Sequence, residues 1–117
     1  MNTVSKAKFG EIETGNPVYR YTLTNTSGMH VTVLNLGCTI TEITVPDKRG
    51  NLDDVVLGFD TLQEYLGPDN LYFGCIIGRV ANRLCDRSVS YEGKTWNLSQ
   101  NHGKHHIHGG FSGFDKK

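Results

Sequence analysis

Two short segments of this 117-residue sequence carry the side chains with the widest chemical reach. The first is residues 78–83, Gly-Arg-Val-Ala-Asn-Arg, directly after an apolar run. Arg79 and Arg83 each hold five N–H donors in a rigid fork, and Asn82 beside Arg83 offers both a donor and an acceptor. An arginine at the end of a buried strand is costly unless its donors find acceptors. One reading ties it to backbone carbonyls or to a carboxylate such as Asp86. The other aims the fork at a neutral polyol or an oxyanion. Asn82 suits hydroxyl groups, which also donate and accept.

The second segment holds His102, His105, His106 and His108, four of the five histidines. Clustered histidines suggest a metal. Here the loop is Gly-rich, adjacent histidines point in different directions, and no Cys or carboxylate joins them locally. The expectation is therefore no metal, with His102, His105 and His106 solvated. His108 differs because Gly109 and Gly110 follow it, which leaves the backbone open on one side for a ligand to come close. The sequence contains no Gly-x-Ser-x-Gly elbow, no phosphate-cradling loop and no dinucleotide fingerprint.

The elements around these segments read as strands and turns. Tyr19, Tyr21 and Leu23 alternate with Arg20, Thr22 and Thr24, the pattern of a half-buried strand. A turn at Thr26-Ser27-Gly28 leads into Met29, Val31 and Val33 alternating with His30 and Thr32, completing a hairpin. A third strand covers residues 38–45 and ends at Pro46-Asp47-Lys48-Arg49-Gly50. Ile40 is out of phase there with Ile43 and Val45, which a bulge or a second buried face explains. Residues 54–59 predict a short inner strand. Residues 61–66 predict the single helix, capped by Asp60 or Thr61 with Glu64 reaching back and stopped by Gly67-Pro68. Residues 71–77 predict a buried strand whose Gly74 lies close to another backbone. Residues 88–91 and 94–98, around Glu92-Gly93, predict a second hairpin. The fold class is all-β, with antiparallel strands and one short helix, in a single domain over residues 1–117.

Charged residues make up 21% and apolar residues 37%, the balance of an ordinary globular chain. Lys plus Arg equals Asp plus Glu, so nothing points to nucleic acid or an anionic membrane surface. No apolar run reaches the ~20 residues of a membrane helix, and the first residues show no apolar signal core. Cys38, Cys75 and Cys85 have no metal spacing and cannot all pair, so reduced, buried thiols in the cytoplasm are expected.

The order of blocks then identifies a family. Residues 73–83 (Phe-Gly-Cys-Ile-Ile-Gly-Arg-Val-Ala-Asn-Arg), Tyr91-Glu92-Gly93-Lys94, Leu98-Ser99-Gln100-Asn101, His108-Gly109-Gly110 and Gly113-Phe114-Asp115-Lys116 resemble the aldose 1-epimerases, also called galactose mutarotases. The spacing from Arg83 to His108 fits, and residues 35–40 and 54–59 resemble the family's opening strands more loosely. The resemblance implies part of a galactose-mutarotase-like β-sandwich (supersandwich). It implies interconversion of the α and β anomers of a free aldose such as galactose or glucose, by acid–base chemistry without a cofactor. It implies Asn82 and Arg83 as binders of sugar hydroxyls, His108 as a binder near the ring that assists its polarisation, and a structural role for Arg79. It also implies that the family's acid, a second histidine, and its base, a glutamate, lie beyond residue 117. The domain is thus expected to be incomplete and the isolated chain inactive or nearly so. A non-catalytic carbohydrate-binding remnant and an inert fragment are the competing readings.

Overall fold

The computed structural model describes residues 1–117. The strands β1 (Thr3–Glu11), β2 (Pro17–Thr24), β3 (His30–Leu34), β4 (Ile40–Pro46) and β5 (Leu52–Asp54) form one antiparallel meander in sequence order. The single α-helix, α1 (Leu62–Leu66), follows. After it come β6 (Arg83–Leu84), β7 (Ser88–Tyr91), β8 (Lys94–Asn97) and β9 (His106–Ile107). β7 and β8 form a hairpin, and β6 pairs with β9. No helix is long and apolar enough to cross a membrane.

Both expected hairpins form. The phase slip in β4 is a bulge: Thr32 pairs with Glu42 but Val33 with Ile40, leaving Thr41 as the extra residue. β1 gave no alternation signal because Lys6 and Lys8 follow Val4 on one face. It is an edge strand, where lysines commonly sit.

Two expected strands do not form. Residues 55–59 leave the sheet, and Leu57 is 78% exposed. The cause is Asp54, whose Oδ1 accepts the N–H groups of Ile43 (2.9 Å) and Val56 (3.0 Å) and so ends the ladder. Residues 71–77 are irregular, with Tyr72 and Gly74 in the left-handed region (φ 67° and 68°). The close approach foreseen at Gly74 is real. Its carbonyl accepts the Ile40 N–H at 2.8 Å, and a Cβ there would overlap the Ile40 carbonyl.

The core is small. Val18, Leu34, Leu62 and Tyr65 are buried together, with Phe9, Ile12, Leu36 and Phe59 packed around them. The apolar alternates read as inward, Tyr21, Leu23, Val31, Val33 and Ile43, lie on the sheet face away from α1, and Leu23 is 46% exposed. The face toward α1 buries Thr32, Leu34 and Thr44 instead. Its hydroxyls are satisfied by a chain of bonds across three strands. Thr22 Oγ1 lies 3.1 Å from Thr32 Oγ1, which donates to Glu42 Oε2 at 3.0 Å. Glu42 Oε1 meets His30 Nε2 at 3.2 Å, and His30 Nδ1 meets Thr44 Oγ1 at 2.8 Å. A buried polar row is tolerated when every member has a partner.

Thr61, not Asp60, caps α1. Its Oγ1 accepts the Glu64 N–H, and Glu64 Oε2 accepts the Thr61 N–H at 3.0 Å, a complete capping box. Bonds from the Thr61 hydroxyl and N–H hold the Glu64 carboxyl below its ordinary pKa. A lowered carboxylate pKa stabilises the fold above the unfolded-state value, and that contribution is lost as the pH falls through the folded one. Thr61→Ala should cost about 1 kcal/mol in urea denaturation. Part of the deficit should disappear in acid, where protonation weakens the wild-type bond from the Thr61 hydroxyl to the Glu64 carboxylate, while the cap bond from the Glu64 N–H to Thr61 Oγ1 remains.

Candidate functional site

The two chemistry-bearing segments meet because β6 and β9 are paired. Arg83 lies opposite Ile107, and Leu84 opposite His106. Just beyond the ladder, the His108 N–H donates to the Asn82 carbonyl at 3.2 Å. In return the Asn82 N–H donates to His108 Nδ1 at 3.1 Å. Both residues have left-handed backbones, φ 55° at Asn82 and 52° at His108. Asn and His are among the residue types that tolerate this region. The reciprocal pair fixes the imidazole. Nδ1 accepts, so the neutral ring carries its proton on Nε2 and presents an Nε2–H donor.

Asn82 is more committed than its type suggested. Its Oδ1 accepts the Arg83 N–H at 2.9 Å and an Nη1–H of the Arg83 guanidinium at 3.3 Å. With the oxygen engaged, the Nδ2–H groups are the side chain's remaining hydrogen-bonding capacity. Arg83 Nη2 contacts His102 Nε2 at 3.2 Å. Two of the five Arg83 donors are thus used and three are free. Asn82 and Arg83 are exposed and His108 is half-buried. The Tyr72 ring packs edge-on to His108, centroids 4.8 Å apart. Asn82, Arg83 and His108 together form a cluster of donors around one short ladder, suited to the lone pairs of hydroxyl and ether oxygens.

Asn101 is a positioning residue that the sequence reading passed over. Its Oδ1 accepts the Ile107 N–H (2.9 Å) and its Nδ2 donates to the Ile107 carbonyl (3.0 Å), so the side chain acts as one more strand beside β9. An Asn in a Gly-rich loop before a short strand was the available signal.

Several expectations are corrected. Arg79 is not paired with Asp86. Asp86 meets Lys104 at 3.1 Å, and the Arg79 guanidinium lies over the Phe114 ring at 5.5 Å. The open side of the glycines after His108 is taken by the chain itself. A Cβ on Gly109 (φ 88°) would strike the Gly78 carbonyl, and one on Gly110 would strike Ser99 and His106. His106 is buried, and its Nδ1 bonds the Ser99 carbonyl at 2.8 Å. His105 Nδ1 accepts the Asp86 N–H at 3.2 Å, so neither histidine is simply solvated. Cys38, in a turn, and Cys85, at the start of a short 3-10 helix, are exposed, while Cys75 is half-buried. Burial, and then the Asp115 charge, push the Cys75 thiol pKa up, so it stays protonated. No three His, Cys, Asp or Glu side chains converge to hold a metal.

A cavity of about 660 Å³ opens beside α1, lined by Leu34, Leu36, Tyr65, Leu66, Tyr72 and Asp115 among others. Its walls are mainly apolar, and it contains none of Asn82, Arg83 or His108. Tyr72 belongs both to its lining and to the surroundings of His108. The donor cluster thus lies apart from this mainly apolar cavity.

The architecture is an antiparallel β protein with one short helix, of the β-sandwich class seen in galactose epimerases. The family model described as aldose 1-epimerase matches residues 19–117. The chain belongs to the aldose 1-epimerase family. It is 40% identical over 116 residues to the galactose mutarotases of Bos taurus and of Homo sapiens, covering 99% of this chain and 34% of each relative. It is 34% identical over 103 residues to the aldose 1-epimerase of Escherichia coli, covering 88% of this chain and 30% of that one. The chain therefore spans about a third of the length of these relatives. Among solved structures it resembles a galactose 1-epimerase from Lactobacillus acidophilus, with TM-score 0.79, 25% identity, and coverage of 98% of this chain and 32% of that one. It also resembles an aldose epimerase homologue from C. elegans, with TM-score 0.73, 38% identity, and coverage of 80% and 29%.

Proposed function

We propose that this chain carries the sugar-holding wall of an aldose 1-epimerase site, for a free aldose such as galactose or glucose. The donor cluster on the β6–β9 ladder carries the reading. Asn82 Nδ2 and the free Arg83 donors face hydroxyl oxygens, and the His108 Nε2–H faces the ring oxygen or the anomeric oxygen. In that place His108 draws electron density from the ring and supports its opening. In this reading the general acid and base are supplied by parts of the family fold outside residues 1–117.

Titration calorimetry with galactose tests the binding. Heat of binding is expected at millimolar sugar. Arg83→Ala should weaken it by about tenfold to a hundredfold, the range for lost hydrogen bonds to a charged donor. The absence of any heat at millimolar galactose would remove the proposal.

A further inference from the structure

The contact between Arg83 and His102 has a chemical direction that the distance alone does not give. An arginine does not surrender its proton, so in an Nη2–Nε2 contact of 3.2 Å the guanidinium donates and the imidazole accepts. His102 is therefore neutral there, with its own proton on Nδ1. The loop is built to keep it in place. The backbones of His102 and His105 form a reciprocal pair, with N–H to carbonyl distances of 3.2 and 2.9 Å. The Gln100 side chain closes the turn by donating to the Gly103 carbonyl at 2.7 Å, and Asn101, the neighbour of His102, is clamped to Ile107. The nearby charges, Lys104 and Asp86, are spent on each other at 3.1 Å.

We infer that His102 is a positioning residue for Arg83 and so tunes sugar affinity without touching the sugar. Arg83 is exposed, and a long side chain in water explores many rotamers. Asn82 holds its Nη1 end and His102 holds its Nη2 end, so the guanidinium plane is fixed before a ligand arrives. A preset fork loses less entropy on binding than a free one. The requirement is specific: the residue at position 102 must offer an acceptor and must not be a cation.

The inference rests on the sugar reading above, and its test separates the two. Galactose affinity is measured by calorimetry for His102→Ala, His102→Gln and His102→Lys. Alanine should weaken binding about 3- to 10-fold, an amount expected for one modest hydrogen-bond contribution. Glutamine, whose Oε1 can accept, should recover most of that loss, and lysine should bind more weakly than alanine. In parallel, the Arg83 side-chain N–H signal is followed by NMR without sugar. It should be ordered in the wild type and in His102→Gln, and averaged in His102→Ala and His102→Lys. Equal affinity in all four proteins, or no recovery with glutamine, overturns the inference. If the wild type takes up no galactose, the sugar reading falls. The NMR signal then decides alone, and an Arg83 side chain as ordered in His102→Ala as in the wild type rejects the positioning role.

Discussion

Polarimetry on fresh α-galactose should show the 117-residue chain turning over at least about a hundredfold more slowly, mole for mole, than a full-length relative such as the bovine galactose mutarotase. Ring opening needs a base to take the proton of the anomeric hydroxyl and an acid to protonate the ring oxygen. Each such group is worth about 10²–10⁴-fold in rate. Within Asn82, Arg83 and His108 the acceptor atoms are already engaged. His108 Nδ1 is taken by the Asn82 N–H, Asn82 Oδ1 by Arg83, and the nearby Asp86 carboxylate by Lys104. On the proposed reading, Asn82, Arg83 and His108 hold and polarise oxygens, and proton removal falls to groups elsewhere in the family fold. A rate close to that of the relative would sink this account and would require a base among residues assigned only to binding. The same experiment with the His108→Ala chain should give no further loss, because polarisation has little to act on when the proton steps are absent.

How far the sequence could be read depends on which forces set each element. The hairpin from Tyr19 to Asn35 is local, with alternation and a turn in one window, and it formed as expected. The α1 capping box is local too. The failures are elements decided by side chains competing with the ladder. Asp54 ended β5 by bonding two backbone N–H groups, and no hydropathy pattern contains that information. Residues 71–77 are apolar enough for a strand, but the backbone at Tyr72 and Gly74 turns left-handed to reach β4. The site was readable as residue types and order. Its geometry was not, because the β6–β9 ladder is two residues long on each side and joins segments more than twenty residues apart. Such a pairing has no local signature. The engagement of Asn82 Oδ1 by the neighbouring Arg83 N–H and guanidinium is likewise a matter of geometry that residue type alone does not give.

The apolar stripe makes the same point for stability and leads to the largest expected mutational effect. The alternation in β2 and β3 was correct, but the burial inferred from it was not, because α1 packs on the opposite face. The radius of gyration is 17.6 Å, against about 13 Å for a compact domain of this length, so much apolar surface stays open. Burial rests on few side chains, and Leu62 is central among them at 1% exposure. It lies over Gly10 so closely that a Cβ there would come within 2.6 Å of Leu62 Cδ2. Leu62→Ala should therefore cost about 2–5 kcal/mol, the range for emptying a close-packed leucine site. In so small a core that is enough to free α1 from the sheet. Amide exchange should show it directly. Protection of β2 and β3 near Val18 and Leu34 should fall sharply in Leu62→Ala, while the β7–β8 hairpin, which shares none of this core, keeps its own exchange rates. Equal protection in the two proteins would mean that the sheet stands without its helix. In that case the hydrogen-bonded row of Thr32, Glu42 and His30, rather than the apolar Leu62 cluster beside it, would be what holds the strands together.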